Sequence, residues 1–192
     1  MSSRIDRRLA ELGISLPEAP APAANYVPWV RTGDLVFVSG QVPLEDGKIA
    51  WRGTVGGDLT REQGEAAARA CAIGLLAQVR AACNGDLDRV RRCVQLQGFV
   101  RSAPGFCAQP AVGNAASNLM VDVFGDAGRH SRFAVGTNEL PFGVAVEVAH
   151  PEDRTEVRRE RSVLGGELDD GLSGGGCRRL GDPGCAEHRP DE

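Results

Sequence analysis

Leu35-Val36-Phe37-Val38 constrains this chain more than any other stretch. Side chains alternate between the two faces of a strand, and all four of these are apolar, so both faces need cover. The run therefore predicts a central strand rather than an edge. Tyr26-Val27-Pro28-Trp29-Val30 precedes it across Thr32-Gly33-Asp34, a sequence suited to a hairpin turn. Helices of the same chain can cover one face. Self-association is the economical cover for the other.

Those helices are legible. Thr60-x-x-Gln63 reads as a capping box opening a helix that runs to about Cys83. Ala68, Ala72, Leu76, Val79 and Cys83 follow one face, and Asn84-Gly85 closes it. Pro110 suits the first turn of a second helix, whose buried stripe is Val112, Ala116, Leu119 and Val123 and whose stop is Gly125. Between them Cys93 to Arg101 alternates like a strand, with Val94, Leu96 and Val100 on one face. Asp46-Gly47 supplies a tight turn before a short segment around Trp51. The order strand-strand-helix-strand-helix-strand-strand predicts an α+β fold, two helices packed on one face of a mixed β-sheet.

The flanks read differently. Ile5, Leu9 and Leu12 mark a short amphipathic helix, and Leu16 to Ala24 is a Pro/Ala-rich linker. Residues 1–24 are thus a helix and linker, 25–150 the domain, and 151–192 a charged, Gly-rich tail without apolar periodicity, expected to be mostly disordered. That tail holds eleven acidic and seven basic side chains, which accounts for the net charge of −4. The rest is balanced, so the basic stripe that nucleic-acid binding needs is missing and no nucleic-acid partner is expected. No apolar run approaches membrane-spanning length and no signal sequence precedes the domain, which points to a cytoplasmic protein without a membrane partner. Cys71, Cys83 and Cys93 fall on helix and strand patterns and read as buried thiols. No Cys-x-x-Cys pair or His/Cys cluster has metal-ligand spacing, and no metal is expected.

The chemistry concentrates in Gly128-Arg129-His130-Ser131-Arg132-Phe133-Ala134-Val135, followed by Leu140-Pro141 and Val144-Ala145-Val146-Glu147-Val148. Even spacing puts His130, Arg132 and Ala134 on one strand face. An arginine there offers a planar fork suited to gripping a carboxylate at two points.

Tyr26, Ser39-Gly40-Gln41-Val42-Pro43, Arg132 with Ala134-Val135, Leu140-Pro141 and Val146-Glu147-Val148 together resemble the reactive-intermediate deaminase family, also called Rid/YjgF or endoribonuclease L-PSP. Their order and spacing carry the resemblance over about residues 16–149. Gly98-Phe99-Val100-Arg101-Ser102-Ala103-Pro104-Gly105-Phe106 and the Gly-Arg-His-Ser-Arg motif look like a divergent branch. The resemblance implies a chorismate-mutase-like fold, a homotrimer with a barrel centre, and clefts between subunits. It implies that Arg132 binds the carboxylate of a 2-imino acid and that Glu147 positions the attacking water, giving a 2-oxo acid and ammonia without a metal or organic cofactor. Tyr26, Ser39, Gly40 and Asn114 would line the cleft, with the backbone near Ala134. The chain departs from the family at Ala149, where a second glutamate is usual, and at His150-Pro151, which interrupts the last strand.

Each candidate has a plainer alternative. Arg132 could pair with Glu147 on the neighbouring strand, or Glu147 could merely neutralise it. His130 could be a loop residue bonded to backbone rather than a proton carrier. Tyr26 could be hairpin packing and Asn114 a helix-surface residue. Cys107 has no neighbouring base in the sequence to activate it. For the whole chain, the alternative to an imine hydrolase is a non-catalytic trimeric module that binds a small carboxylated metabolite. The ribonuclease of the family's older name is disfavoured by the balanced charge and sparse aromatics.

Overall fold

The computed structural model describes residues 3–19 and 25–149, together with the backbone of Thr155–Val157. Ser3 and Asp6 close a capping box at the start of α1 (Arg4–Glu11). The amides of Arg4 and Ile5 also donate to the Asp88 carboxylate, at 2.8 and 2.9 Å. A carboxylate is favoured at a helix N-terminus, and this one pins the short helix so that Ile5 and Leu9 enter the core.

β1 (Trp29–Thr32) and β2 (Leu35–Val38) form the expected hairpin, with Gly33 at φ 58° supplying the positive φ of a two-residue turn. The first strand starts at Trp29, not Tyr26. β3 (Leu44–Glu45) and β4 (Lys48–Ile49) are joined by Asp46 and Gly47, both at positive φ as a type I′ turn requires.

The predicted capping box opens α2 (Arg61–Ala82): the Gln63 amide donates to Thr60 Oγ1 at 3.2 Å and the Thr60 amide to Gln63 Oε1 at 2.8 Å. Asn84 and Gly85 end it at positive φ, and the Gly85 amide reaches back to the Arg80 carbonyl. Thr60→Ala removes the acceptor for an otherwise orphaned helix amide, so it is expected to cost about 1 kcal/mol in urea denaturation.

β5 (Val90–Arg92), which the sequence pattern does not reveal, precedes β6 (Gln95–Arg101). α3 (Gln109–Phe124) carries Pro110 in its first turn and buries Val112, Ala116, Leu119 and Val123 as predicted. β7 (Ser131–Thr137), β8 (Val146–Ala149) and β9 (Thr155–Val157) follow. The tail assignment of 151–192 lies outside the described residues except at β9, where the backbone is extended and paired.

The strands form two larger sheets, ordered β1-β2-β9-β5 and β7-β6-β8. A bridge between Gln41 and Val148 joins the end of the first hairpin to β8. β2 is central, flanked by β1 and β9, as its apolar faces require. α2 packs on β8 and β2, α3 on β6 and β7, and α1 against α3. The core lies between helices and sheets. Leu75, Leu76 and Leu119 are each at most 1% exposed, and such burial contributes about 1.5–3 kcal/mol apiece.

One topological point reverses an expectation. β7 and β8 are not neighbours: β6 lies between them, parallel to β7 and antiparallel to β8. The connection through Leu140-Pro141 is a crossover past β6, because β7 pairs in parallel and leaves the opposite edge of β6 for the returning strand.

Candidate functional site

Arg132 stands opposite Leu96 on β6, and Glu147 stands opposite Phe99. Cross-strand partners share a face, so Arg132 projects with Leu96 toward α3, whereas Glu147 projects with Phe99 away from the helices. Two strand spacings and three residues separate them, roughly 14 Å along the sheet. An ion pair between them on adjacent strands is therefore ruled out within one chain.

Arg132 lies over the start of α3. Nη1 donates to Asn114 Oδ1 at 2.9 Å and to Ser117 Oγ at 3.1 Å, and Nη2 donates to the Pro110 carbonyl at 3.2 Å. Gly113 makes this approach possible, since a Cβ there would sit 3.3 Å from Nη1 and 3.2 Å from the Ala134 Cβ. A guanidinium has five N–H donors, so one on Nε and one on Nη2 remain for a ligand. All three acceptors are neutral, and among the described residues no carboxylate pairs with this cation. A positive charge held in place and left uncompensated is suited to an anion.

His130 is bonded to backbone, as the plainer reading of it expects, and it also reaches a side chain of α3. Its Nδ1 lies 2.6 Å from the Gly128 carbonyl oxygen, as a loop histidine would, and its Nε2 lies 3.0 Å from Ser117 Oγ, on the Arg132 side. Ser117, Pro110 and Gly113 are site residues that the sequence reading missed. Ser117 follows Asn114 at i+3, the spacing that places two side chains on one helix face, and could have been found that way.

The second group centres on Glu147. Its carboxylate occupies the space where a Cβ on Gly40 would stand. Ser39 donates from Oγ to the Val27 carbonyl at 2.8 Å and from its amide to Pro28 at 3.0 Å, tying the segment that carries Tyr26 to this corner. Buried Gln41 donates from Nε2 to the Ser39 and Gly40 carbonyls and pairs through its backbone with Val148. Ser39, Gly40 and Glu147 thus gather here, beside the segment that follows Tyr26, while Arg132, Asn114 and Ala134 gather at α3. The chain brings together each half and keeps the halves apart.

Glu147 is half-buried, and burial raises its carboxyl above the usual range, with no hydrogen bond or ion pair among the described residues to offset it. A raised native value means that the folded state holds the proton more tightly than the unfolded chain. Stability is then highest below the ordinary value of 4.5 and falls as pH rises through the raised one. Urea titrations from roughly pH 4 to pH 8 should show this loss in the wild type and its absence in Glu147→Gln.

Cys71, Cys83 and Cys93 are buried thiols outside any disulfide, and burial pushes Cys83 up to about 11. Cys107 is exposed, with Sγ 3.4 Å from the Gly105 carbonyl oxygen. Among the described residues no group of His, Cys, Asp and Glu is placed to hold a metal ion, and no helix is long and apolar enough to cross a membrane.

Comparison with known proteins supplies a context. The family described as "YjgF/chorismate mutase-like, putative endoribonuclease" matches residues 6–148. Protein TCP17 of Trypanosoma cruzi is 51% identical over 148 residues, 77% of this chain and 92% of TCP17. The crystal structure of Atu1372 from Agrobacterium tumefaciens superposes with a TM-score of 0.73 at 49% identity, covering 80% of this chain and 92% of Atu1372. A "putative endoribonuclease" from Shewanella oneidensis gives 0.76 at 32% identity, covering 81% of this chain and all of the other, 100%.

Proposed function

From its membership of the YjgF/chorismate-mutase-like family, to which the chain belongs over residues 6–148, we propose that this protein hydrolyses small 2-imino and enamine acids to 2-oxo acids and ammonia. The observation that carries the proposal is the Arg132 guanidinium, fixed by three neutral acceptors with two N–H groups unspent and no carboxylate beside it. Those two groups bind the substrate carboxylate, and Asn114 and the Ala134 backbone flank it. Glu147, ionised, orients a water and takes its proton as the oxygen attacks the imine carbon. Addition to the protonated imine gives a neutral carbinolamine; Glu147 returns its proton to the nitrogen, ammonia leaves, and the carboxylate takes the hydroxyl proton as C=O forms.

Because Arg132 and Glu147 project from opposite faces, the two halves meet only if separate copies contribute them. A homotrimer supplies that arrangement. Val30, Phe133 and Val135, exposed by 52, 39 and 43%, lie on the face turned away from the helices and give a second copy an apolar surface to cover. Clefts at the subunit boundaries would pair the Arg132 half of one subunit with the Tyr26, Ser39, Gly40 and Glu147 half of its neighbour.

The same separation favours a second reading, in which the Arg132 half alone binds a small carboxylated metabolite without catalysis. Imines generated in place by an amino-acid oxidase, with semicarbazide as competing trap, decide between them. Hydrolysis above the enzyme-free rate supports the enzyme. No acceleration across several side-chain types, with carboxylate binding retained, supports the binding module.

A further inference from the structure

We propose that His130 is a positioning residue, which acts through Ser117 to fix the Arg132 guanidinium over α3. With the His130 ring neutral, the chain of contacts has one consistent direction. The Gly128 carbonyl can only accept, so His130 Nδ1, 2.6 Å away, carries a hydrogen. In the neutral ring Nε2 is then an acceptor, and 3.0 Å away it takes the hydroxyl hydrogen of Ser117. That leaves the Ser117 lone pairs to receive Nη1 of Arg132 at 3.1 Å.

The effect on Arg132 is geometric. A serine hydroxyl rotates freely, and with its hydrogen turned toward Nη1 it would oppose the guanidinium instead of accepting from it. His130 removes that orientation. Both Nη1 hydrogens then have fixed acceptors, Asn114 and Ser117, and the plane of the guanidinium is set. The origin of the chain is itself rigid, because Gly128 packs against the α3 backbone at Met120 with no room for a Cβ. The Nε–H and remaining Nη2–H consequently face a ligand in one orientation, which is what two-point recognition of a carboxylate requires.

The ligand-binding consequence rests on Arg132 being the carboxylate anchor; the positioning itself does not, and two readouts keep them distinct. In the full chain labelled with [15N]arginine, the Arg132 Nη signals, assigned by their loss in Arg132→Ala, report whether the guanidinium is held or rotates. Separate, slowly exchanging signals are expected in the wild type, and a single averaged signal in His130→Ala and Ser117→Ala. His130→Gln places an amide oxygen where Nε2 stood and should keep the separate signals. His130→Asn keeps a donor toward Gly128 but falls short of Ser117, and should not. Titration with pyruvate should follow the same order. Loss of about one hydrogen bond weakens binding about fivefold in His130→Ala and His130→Asn, and His130→Gln stays near wild type. An averaged signal in the wild type, wild-type signals in His130→Ala, or equal behaviour of His130→Asn and His130→Gln would overturn the proposal. The expected Nη pattern with no pyruvate binding by any form would sustain the positioning role and remove the 2-oxo-acid reading instead.

Discussion

Arg132→Ala is expected to lower kcat/KM for 2-imino acid hydrolysis by about 10²–10³-fold while leaving the melting temperature close to wild type. The magnitude follows from removing one member of a desolvated, two-point charge pair, a loss of about 2–5 kcal/mol. Stability is spared because the partners left behind tolerate it. Asn114 is exposed and Ser117 is partly so, and water replaces the guanidinium at both. Arg132→Lys restores the charge but not the fork, so it should recover only part of the loss. The comparison is made with the oxidase-coupled assay alongside thermal denaturation. Hydrolysis unchanged in Arg132→Ala would remove the anchor assignment.

The largest effect on stability is expected at Gly128. A Cβ on this residue would meet the backbone of α3: the Met120 carbonyl oxygen, the Met120 carbonyl carbon at 2.5 Å and the Val121 nitrogen at 2.8 Å. A helix backbone cannot turn aside as the end of a side chain can. Gly128→Ala must therefore push β7 and α3 apart, at a cost of about 3 kcal/mol, or roughly 10 °C in melting temperature for a chain of this size. Gly40→Ala makes the instructive contrast, because its Cβ would meet only the Glu147 carboxylate, which can swing away. A Gly128→Ala protein that melts within about 2 °C of wild type would show that α3 and β7 are less tightly joined than these contacts require.

Local patterns in the chain told much of this in advance. Thr60 and Gln63 announce α2 because a capping box is satisfied by atoms three residues apart. The stripe Val112, Ala116, Leu119 and Val123 announces α3 because one helix face is set by spacing alone. Leu35 to Val38 announce a central strand because apolar side chains on both faces have no other stable place. Arg132, Glu147, Gly40 and Asn114 could be singled out through the resemblance of their motifs to a known family. The short strands β5 and β9 could not be found this way. Val90–Arg92 buries only its first residue, and Thr155–Val157 follows a proline in a charged stretch, so neither carries a period to recognise.

What the sequence by itself determined, then, is every element whose hydrogen bonds or apolar face are local: three helices, the β1-β2 hairpin and the family to which they belong. What only the tertiary structure decided is which strands lie side by side. Pairing of β6 between β7 and β8 depends on contacts more than thirty residues apart, and one strand inserted between two others changes both their separation and the faces their side chains share. That single placement turns Arg132 toward Ser117 and His130, turns Glu147 toward Gly40, and divides between two surfaces a site that reads along the chain as one.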